Sequence, residues 1–269
     1  MSGPANPSQP SRGSDRDSDG DRSAQAATAG DDGDAAGQAD AARAVRNAYR
    51  AGTRTFMGVE LLVAPGALVP RPETELLGRT AQRLLQEIPG GGGERAVTII
   101  DMCCGSGNLA CGLAATDTRL RVYAADLTDG CVDLARRNVR HLALEGRISV
   151  HQGDLFAAFG GIDLGGAVDM VVCNPPYIST ARLGKDRVSL LEQEPVEAFD
   201  GGPYGLSIHQ RVIKDAPGYL KVSGRLLFEM GLGQERQLKL LFDRARIYKD
   251  VNFVNDESGR PRVAVATLA

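Results

Sequence analysis

The tetrapeptide Asn174-Pro175-Pro176-Tyr177 follows an apolar run, Ala167-Val168-Asp169-Met170-Val171-Val172-Cys173, that predicts a buried β-strand. An amide side chain, two prolines and an aromatic ring therefore stand at the carboxyl end of a strand, where ligands bind in open α/β sheets. The prolines fix the backbone and remove two N–H donors, while Asn174 adds a side-chain acceptor. Rigid acceptors beside an aromatic ring suit the recognition of a planar NH2 group. A strand that ends in a proline turn is the competing interpretation of the tetrapeptide alone.

From Val97 onward, the sequence alternates between strand and helix patterns. Strands are predicted at Val97–Asp101, Leu120–Asp126, Ile148–His151, Val168–Cys173, Gly224–Met230, Tyr248–Val254 and Arg262–Leu268. Helices are predicted at Asn108–Ala115, Asp129–Leu142, Ser207–Leu220 and Gln234–Arg244. Such alternation indicates an α/β fold whose sheet is mostly parallel and covered by helices on both faces. The last two strands have no helix between them, so they are expected to form an antiparallel hairpin in a seven-stranded sheet.

A glycine-rich turn follows the first of these strands. It comprises Asp101, Cys103, Cys104, Gly105, Ser106 and Gly107. Glycines at such a turn let the backbone approach a ligand closely, and Asp126 ends the next strand, where an acid can bind both hydroxyls of a ribose. A dinucleotide fold would place a third glycine at position 110, which is Ala110, and would need a second mononucleotide half. A smaller cofactor without a pyrophosphate is therefore expected.

S-adenosylmethionine (SAM) fits these features. Its ribose would meet Asp126, its adenine the turn Asp154-Leu155-Phe156, and its methionine end the glycine-rich loop. For Asp154 an ordinary turn residue, and for Phe156 an ordinary core residue, are the competing interpretations.

With loop, acid and Asn-Pro-Pro-Tyr in this order, the chain resembles a class I SAM-dependent methyltransferase, which implies a Rossmann-like fold. It is most similar to the HemK/PrmC family of protein-glutamine methyltransferases, from about Thr55 to Leu268. Further matching segments are Val69-Pro70-Arg71-Pro72-Glu73-Thr74-Glu75, Glu194-Pro195, Asp200-Gly201-Gly202, Gly205-Leu206 and Asp256…Gly259-Arg260…Arg262-Val263. The Pro-Arg-Pro-Glu-Thr-Glu segment discriminates, because Asn-Pro-Pro-Tyr alone is shared with methylases of exocyclic amines on nucleic acid bases.

The resemblance implies methyl transfer from SAM to the side-chain amide nitrogen of a protein glutamine. The resemblance also implies catalytic roles for Asn174, Pro175 and Tyr177, and a second role for Asn174 in cofactor binding. Substrate binding is implied for Arg71, Glu73, Thr74 and the whole of Asn174-Pro175-Pro176-Tyr177. No metal is implied, and the acceptor of the family is a peptide chain release factor. Two alternatives remain open: a methyltransferase of exocyclic amines in RNA or DNA, and a SAM-binding interaction module without catalysis.

The N-terminal segment differs in composition from the rest. Its first forty residues contain no Leu, Ile, Val or aromatic residue, and carry eight Asp against three Arg. Residues 1–44 are therefore predicted to be a disordered acidic tail, 45–93 a helix and hairpin extension with a linker, and 94–269 the methyltransferase domain. This differs from the HemK/PrmC pattern, in which a helical N-terminal domain precedes the catalytic domain. A second departure is Cys103, which stands where the family has its first loop glycine.

Charge, hydropathy and cysteine content narrow the class of protein. The first forty residues contribute −5 to a net charge of −3, so the remainder carries only +2, which disfavours a nucleic acid as the partner. No apolar run reaches the length of a membrane span, and the N-terminus lacks the apolar core of a secretory signal. Five cysteines without a Cys-x-x-Cys pair fit a reducing compartment. A cytoplasmic protein is therefore expected, and the family resemblance implies that it is an enzyme acting on a protein.

Overall fold

The computed structural model describes residues 39–88, 95–183 and 194–269, together with Met1 and Gly3. Ala44–Ala269 form one compact unit and Met1–Arg43 another. Most of the predicted tail, at residues 4–38, lies outside the described residues, as does the end of the predicted linker at 89–94. The three domain boundaries therefore stay predictions. In the described ranges, every helix is too short or too polar to cross a lipid bilayer.

The first helix, α1, covers residues 39–51. It is followed by a small hairpin of two strands, β1 (Thr53–Phe56) and β2 (Val59–Leu62). The longer helices that follow are α2 (Thr74–Gln86), α3 (Asn108–Thr116), α4 (Asp129–His141), α5 (Ser207–Asp215) and α6 (Glu235–Ala245). The main sheet consists of β3 (Val97–Met102), β4 (Leu120–Asp126), β5 (Ile148–Gln152), β6 (Val168–Cys173), β7 (Leu220–Glu229), β8 (Tyr248–Asn255) and β9 (Pro261–Leu268).

The seven strands are arranged in the order β5-β4-β3-β6-β7-β9-β8. Strands β3 to β7 are parallel to one another, whereas β9 pairs antiparallel with both β7 and β8. The predicted fold class, a mostly parallel sheet with a C-terminal antiparallel hairpin, is thereby confirmed. The chain proceeds outward from β3 to β5 and then returns to β6 on the other side of β3. This reversal opens a crevice at the carboxyl ends of β3 and β6.

Side chains of the central strands alternate between two apolar cores, one on each face of the sheet. Ile99 belongs to the core beneath α2, α3 and α4, whereas Ile100 belongs to the core beneath α5 and α6. In the same way Val172 faces the first core and Val171 the second. Because successive residues of a strand point to opposite faces, continuous apolar runs are needed where helices cover both faces. The apolar run before Asn174 meets that requirement.

The α-helix predicted at Ser207–Leu220 is shorter in the structure. It ends at Asp215, and a 3-10 turn at Ala216–Gly218 leads into β7. Pro217 explains the early end, because proline has no N–H for the helical ladder and its ring obstructs the preceding turn. Strand β7 then begins at Leu220, four residues before the predicted start at Gly224.

Candidate active site

A cavity of about 330 Å³ lies at the carboxyl edge of the sheet, where β3, β4 and β6 end. Eleven residues of the predicted site border it: Arg71, Thr74, Cys103, Cys104, Gly105, Ser106, Asp126, Asp154, Leu155, Asn174 and Pro176. The volume falls in the range of small-molecule sites. The cofactor loop and the Asn-Pro-Pro-Tyr segment, predicted from separate motifs, therefore meet at one cavity.

The glycine-rich loop follows β3 in a left-handed conformation at several positions. Gly105 has a φ of 53° and Gly107, the residue before α3, a φ of 77°. A Cβ at Gly105 would meet no atom within 4 Å, so its backbone is open toward the cavity that it borders. At Gly107 a Cβ would lie 3.2 Å from the Cβ of Ala135, so this glycine serves the packing of the loop against α4. Gly107 lies outside the wall of the cavity.

Cys103 takes the left-handed conformation too, with a φ of 57°. Its side chain packs against the apolar core beneath α5 and α6, and its thiol contacts that of Cys173. Burial, reinforced by Cys103, raises the pKa of the Cys173 thiol well above its usual range. Packing on the core thus accommodates a side chain at a loop position where the HemK/PrmC family has glycine, although Cys103 still borders the cavity.

Asp126 links the loop to the end of β4. Its Oδ2 accepts the N–H of Gly105 at 2.9 Å, and its Oδ1 accepts the N–H of Thr128 at 3.2 Å. A carboxylate has about four acceptor positions, so capacity remains for the hydroxyls of a ribose. Because Asp126 is half-buried on the wall of the cavity, a cofactor and the loop can share it.

Asp101 supports the loop from beneath. It is fully buried and lies outside the cavity wall, and its Oδ2 accepts the N–H of Ala110 in α3 at 2.9 Å. Its Oδ1 has no hydrogen-bond partner among the described residues. Burial raises the pKa of this carboxyl to about 7, and the charge of Asp126 adds to the shift, while the Ala110 N–H opposes it. Asp101 therefore holds the first turn of α3 against the loop.

The turn after β5 divides the three residues predicted to bind adenine. Asp154 and Leu155 border the cavity, and Asp154 forms an ion pair of 2.8 Å with Arg211. Phe156 is buried away from the cavity and stacks on Tyr219 at 4.5 Å between ring centroids. Phe156 is therefore a core residue, which is the competing interpretation that its sequence position allowed.

Asn174 extends from the end of β6 into the cavity wall. Its Nδ2 donates to the Oγ1 of Thr74, the first residue of α2, at 3.1 Å. The amide nitrogen is thus engaged by the protein, and the Oδ1 of Asn174 remains as the free acceptor of that side chain. Pro176 borders the cavity as well, whereas Pro175 is buried and lies outside the wall.

Tyr177 is directed away from the cavity. Its hydroxyl donates to the Oε1 of Glu229 at 3.2 Å and accepts from the Nη2 of Arg262 at 3.3 Å. Its ring lies below the Arg262 guanidinium, 5.8 Å from the ring centroid. Burial raises the pKa of this phenol well above its usual range, and the Glu229 carboxylate adds to the shift. Tyr177 thus anchors the segment from behind, and its predicted contact with the acceptor amide stays a prediction.

The Pro-Arg-Pro-Glu-Thr-Glu segment joins the site through two of its three predicted residues. Thr74 accepts the hydrogen bond from Asn174, and Arg71 borders the cavity and pairs with Glu194 at 2.6 Å. Glu194 also accepts the N–H of Val69 at 2.9 Å, so it fastens the segment before α2 to the loop that follows β6. Glu73 is exposed and lies outside the wall.

Several residues that build the site had no predicted role. Thr128 and Glu194 hold Asp126 and Arg71, and Glu229 and Arg262 lie behind Tyr177. Glu194 and Arg262 fall in segments that match the HemK/PrmC pattern, and Glu229 is an acid at the carboxyl end of a buried strand. That position was the available signal, since the carboxyl edge of the sheet is where ligands bind.

The described residues fit SAM on the evidence of the cavity itself. Gly105 leaves the loop backbone open to the cavity, and Asp126 keeps acceptor capacity on its wall. Asp126 and Asp154 give this part of the wall carboxylates that complement the positive charge of the cofactor.

Comparisons with known proteins agree with this geometry. A model of the methyltransferase small domain family matches residues 77–193. The chain is 34% identical over 218 residues to the release factor glutamine methyltransferase of Moorella thermoacetica, covering 81% of this chain and 73% of that protein. The corresponding enzyme of Geobacter sulfurreducens is 34% identical over 216 residues, covering 80% of this chain and 70% of that one.

Solved structures share the fold at low sequence identity. A methyltransferase from Pyrococcus furiosus has a TM-score of 0.54 at 16% identity, covering 78% of this chain and 89% of that chain. The hMettl16 catalytic domain, solved with a MAT2A 3′UTR hairpin, has a TM-score of 0.59 at 18% identity, covering 79% of this chain and 76% of that chain. These structures support the fold of a methyltransferase. The identity of the acceptor has to be inferred from the relatives of higher sequence identity.

Proposed function

The chain belongs to the release factor glutamine methyltransferase family, and we propose that it methylates the glutamine of the Gly-Gly-Gln tripeptide in a peptide chain release factor. It is a SAM-dependent protein methyltransferase by this membership. The observation that carries the choice of acceptor is the orientation of Asn174, whose amide nitrogen is held by Thr74 on the wall of the cavity. Its Oδ1 is thereby left to accept an N–H from a primary amide.

The chemical difficulty of the reaction lies in the acceptor, because an amide nitrogen shares its lone pair with its carbonyl. Asn174 Oδ1 and, by family resemblance, the backbone carbonyl of Pro175 accept the two N–H groups of the glutamine side chain. These bonds strengthen as positive charge develops on the nitrogen, so they stabilise the transition state more than the ground state. When bound, SAM supplies a methyl group activated by a positively charged sulfur. A cavity that binds both donor and acceptor would bring them together and so lower the entropic cost of their encounter.

No general base of high pKa is needed before the methyl group is transferred. The nitrogen becomes acidic as the new bond forms, so its proton can pass to water. Of the described residues that border the cavity, none is a histidine. His209, for example, is buried beside Phe228 with its Nε2 3.0 Å from the Glu229 carbonyl oxygen, and burial lowers its pKa to about 4.

The test is the transfer of labelled methyl from SAM to matched acceptors. One acceptor is a release factor with the Gly-Gly-Gln tripeptide, and its control carries glutamate in place of that glutamine. Label on the first alone is expected, because glutamate lacks the NH2 group. Equal labelling of the two proteins, or label on neither with SAM binding intact, would overturn the proposal.

Total RNA serves as a third acceptor in the same experiment. A methyltransferase of exocyclic amines would label RNA and leave both release factors unlabelled. A SAM-binding module without catalysis would bind SAM and label nothing. The cytoplasm is the compartment that we propose for the reaction, because all five cysteines of the chain are free thiols.

A further inference from the structure

The side-chain amide of Asn174 has two ends of nearly equal size and opposite hydrogen-bonding character. Only the oxygen can accept from the NH2 group of an acceptor glutamine, whereas the nitrogen would oppose it donor to donor. We propose that Thr74 and Glu229 are positioning residues that hold the Asn174 amide with its oxygen toward the acceptor. This inference rests on the proposed function, since it concerns the recognition of the acceptor amide.

Thr74 is in direct contact with the amide. It is almost fully buried, and its Oγ1 lies 3.1 Å from the Nδ2 of Asn174. A hydroxyl can both donate and accept, so this contact alone would tolerate either orientation of the amide. The orientation of the amide therefore depends on which group accepts the hydrogen bond from the Thr74 hydroxyl.

Glu229 is the group that can accept this hydrogen bond. It is buried at the end of β7, and its Oε1 accepts from the Tyr177 hydroxyl at 3.2 Å and lies 3.5 Å from the Nη2 of Arg262. Its Oε2 meets no donor in standard hydrogen-bond geometry among the described residues, which leaves this oxygen for the Thr74 hydroxyl. Burial raises the pKa of Glu229, while a hydrogen bond from Thr74 and the charge of Arg262 lower it. The Thr74 hydroxyl is therefore close enough to act on this carboxyl, although no hydrogen bond of standard geometry joins the two groups.

The direction of each hydrogen bond follows from these contacts. The Arg262 guanidinium, 3.5 Å from Oε1, favours the ionised form of Glu229. In the proposed arrangement this carboxylate only accepts, so Thr74 donates its proton to Glu229 and offers a lone pair to Asn174. Asn174 must then present its Nδ2 to Thr74 and its Oδ1 to the cavity. Arg262 and Tyr177 contact the other oxygen of the Glu229 carboxylate, Oε1. Three residues from distant parts of the chain, together with Tyr177, thus determine the orientation of one amide.

The first test removes the Thr74 hydroxyl while keeping its shape. Thr74→Val is expected to lower kcat by about 10- to 100-fold on a release factor acceptor, with the KM for the acceptor and the affinity for SAM changed by less than about threefold. Thr74→Ser, which restores the hydroxyl, is expected to recover most of kcat. Thr80→Val is the matched control, because Thr80 is a buried threonine of the same helix outside the cavity wall.

The second test reverses the hydrogen bond. In Glu229→Gln, Tyr177 and Arg262 retain the carbonyl oxygen, so the new NH2 group faces Thr74. Thr74 then donates to Asn174 and turns the Asn174 nitrogen toward the acceptor. This variant is expected to lower kcat at least as much as Thr74→Val does. The double variant is expected to be no worse than Thr74→Val alone, because the effect of Glu229 passes through the Thr74 hydroxyl.

The outcomes separate this inference from the proposed function. If the wild-type enzyme leaves the glutamine unmethylated, the proposed function fails. If the wild-type enzyme methylates it and Thr74→Val keeps full kcat, or Thr74→Ser fails to recover activity, the positioning role is wrong. Independent, multiplicative losses in the double variant would also overturn it. Thermal melting and SAM affinity, measured for each variant, identify a loss of kcat that comes from unfolding.

Discussion

The two sides of the cavity are built in different ways. The cofactor side takes its groups from one continuous stretch, in which the loop after β3 and Asp126 at the end of β4 are joined by the Gly105 N–H. The acceptor side combines Thr74, Asn174 and Glu229, which are separated by 100 and 55 positions along the chain. The cofactor side depends mostly on backbone geometry, and the acceptor side on the orientation of one amide. Binding and chemistry should therefore respond to different substitutions.

The largest difference between the effect on methyl transfer and the effect on SAM binding is expected at Asn174. Asn174→Ala removes the acceptor that favours charge on the attacking nitrogen, and methyl transfer should fall by about 10²- to 10³-fold or more. SAM affinity should change by less than about threefold, since the loop and Asp126 remain. Methyl transfer to the release factor at saturating SAM, together with calorimetric titration of SAM, measures both quantities. A transfer rate equal to that of the wild-type enzyme would contradict the mechanism.

Asp126 should give the opposite pattern. Asp126→Ala removes acceptors for the ribose hydroxyls and for the Gly105 N–H, so SAM affinity should weaken by about 10- to 100-fold. Once SAM is saturating, the transfer rate should recover to within about fivefold of the wild-type value. Asp163→Ala, at an exposed aspartate outside the cavity wall, is the control for loss of one negative charge. Equal weakening in both variants would show that the position of the carboxylate is irrelevant.

Gly107 tests whether the cofactor side depends on backbone geometry. Gly107→Ala combines a φ of 77° with a Cβ placed 3.2 Å from the Cβ of Ala135. The free energy of unfolding should fall by about 1–3 kcal/mol, measured by chemical denaturation. Gly146→Ala, at an exposed glycine with open space around its Cα, should change it by less than about 0.5 kcal/mol. If the two variants are equally stable, the loop does not require glycine at position 107.

A further effect is expected at Asp101, on the pH dependence of stability. Burial raises its pKa to about 7, above the value of about 3.9 in an unfolded chain. The folded protein binds this proton more tightly, so the stabilising contribution is full below about pH 4 and is lost as the pH rises through about 7. Denaturation from about pH 5 to about pH 8 should show a steeper loss of stability for the wild type than for Asp101→Asn. Parallel curves for the two proteins would contradict the assignment.

The sequence predicted the cofactor side more completely than the acceptor side, and the reason is physical. Glycines, an acid at a strand end and apolar runs are local signals, so the loop, Asp126 and the succession of strands along the chain could be predicted without knowing distant contacts. Tyr177 and Phe156 are exceptions, since an aromatic ring beside a motif can face either the ligand or the core. The roles of Glu229 and Arg262 depend on the pairing of β7 with β9, which no local pattern specifies.

Local helix and strand patterns also left some boundaries open. Pro217 ended α5 early. Within the extension predicted at 45–93, the sequence left the bounds of the hairpin open, and the structure forms it from β1 and β2. The contact that matters most for the site, from Thr74 to Asn174, joins the first residue of a helix to the end of a strand 100 positions later. Family resemblance identified both residues, and only the folded arrangement showed that their side chains are in contact.

The most direct test of the account is a crossed single-turnover experiment on the wild type, Asn174→Ala and Asp126→Ala. Each enzyme is mixed with a release factor acceptor over a range of SAM concentrations, which gives a maximal transfer rate and an apparent Kd for SAM. The account predicts that Asn174→Ala loses the rate and keeps the Kd, and that Asp126→Ala loses the Kd and keeps most of the rate. If both quantities change together in both variants, the cavity is not divided into a cofactor side and an acceptor side.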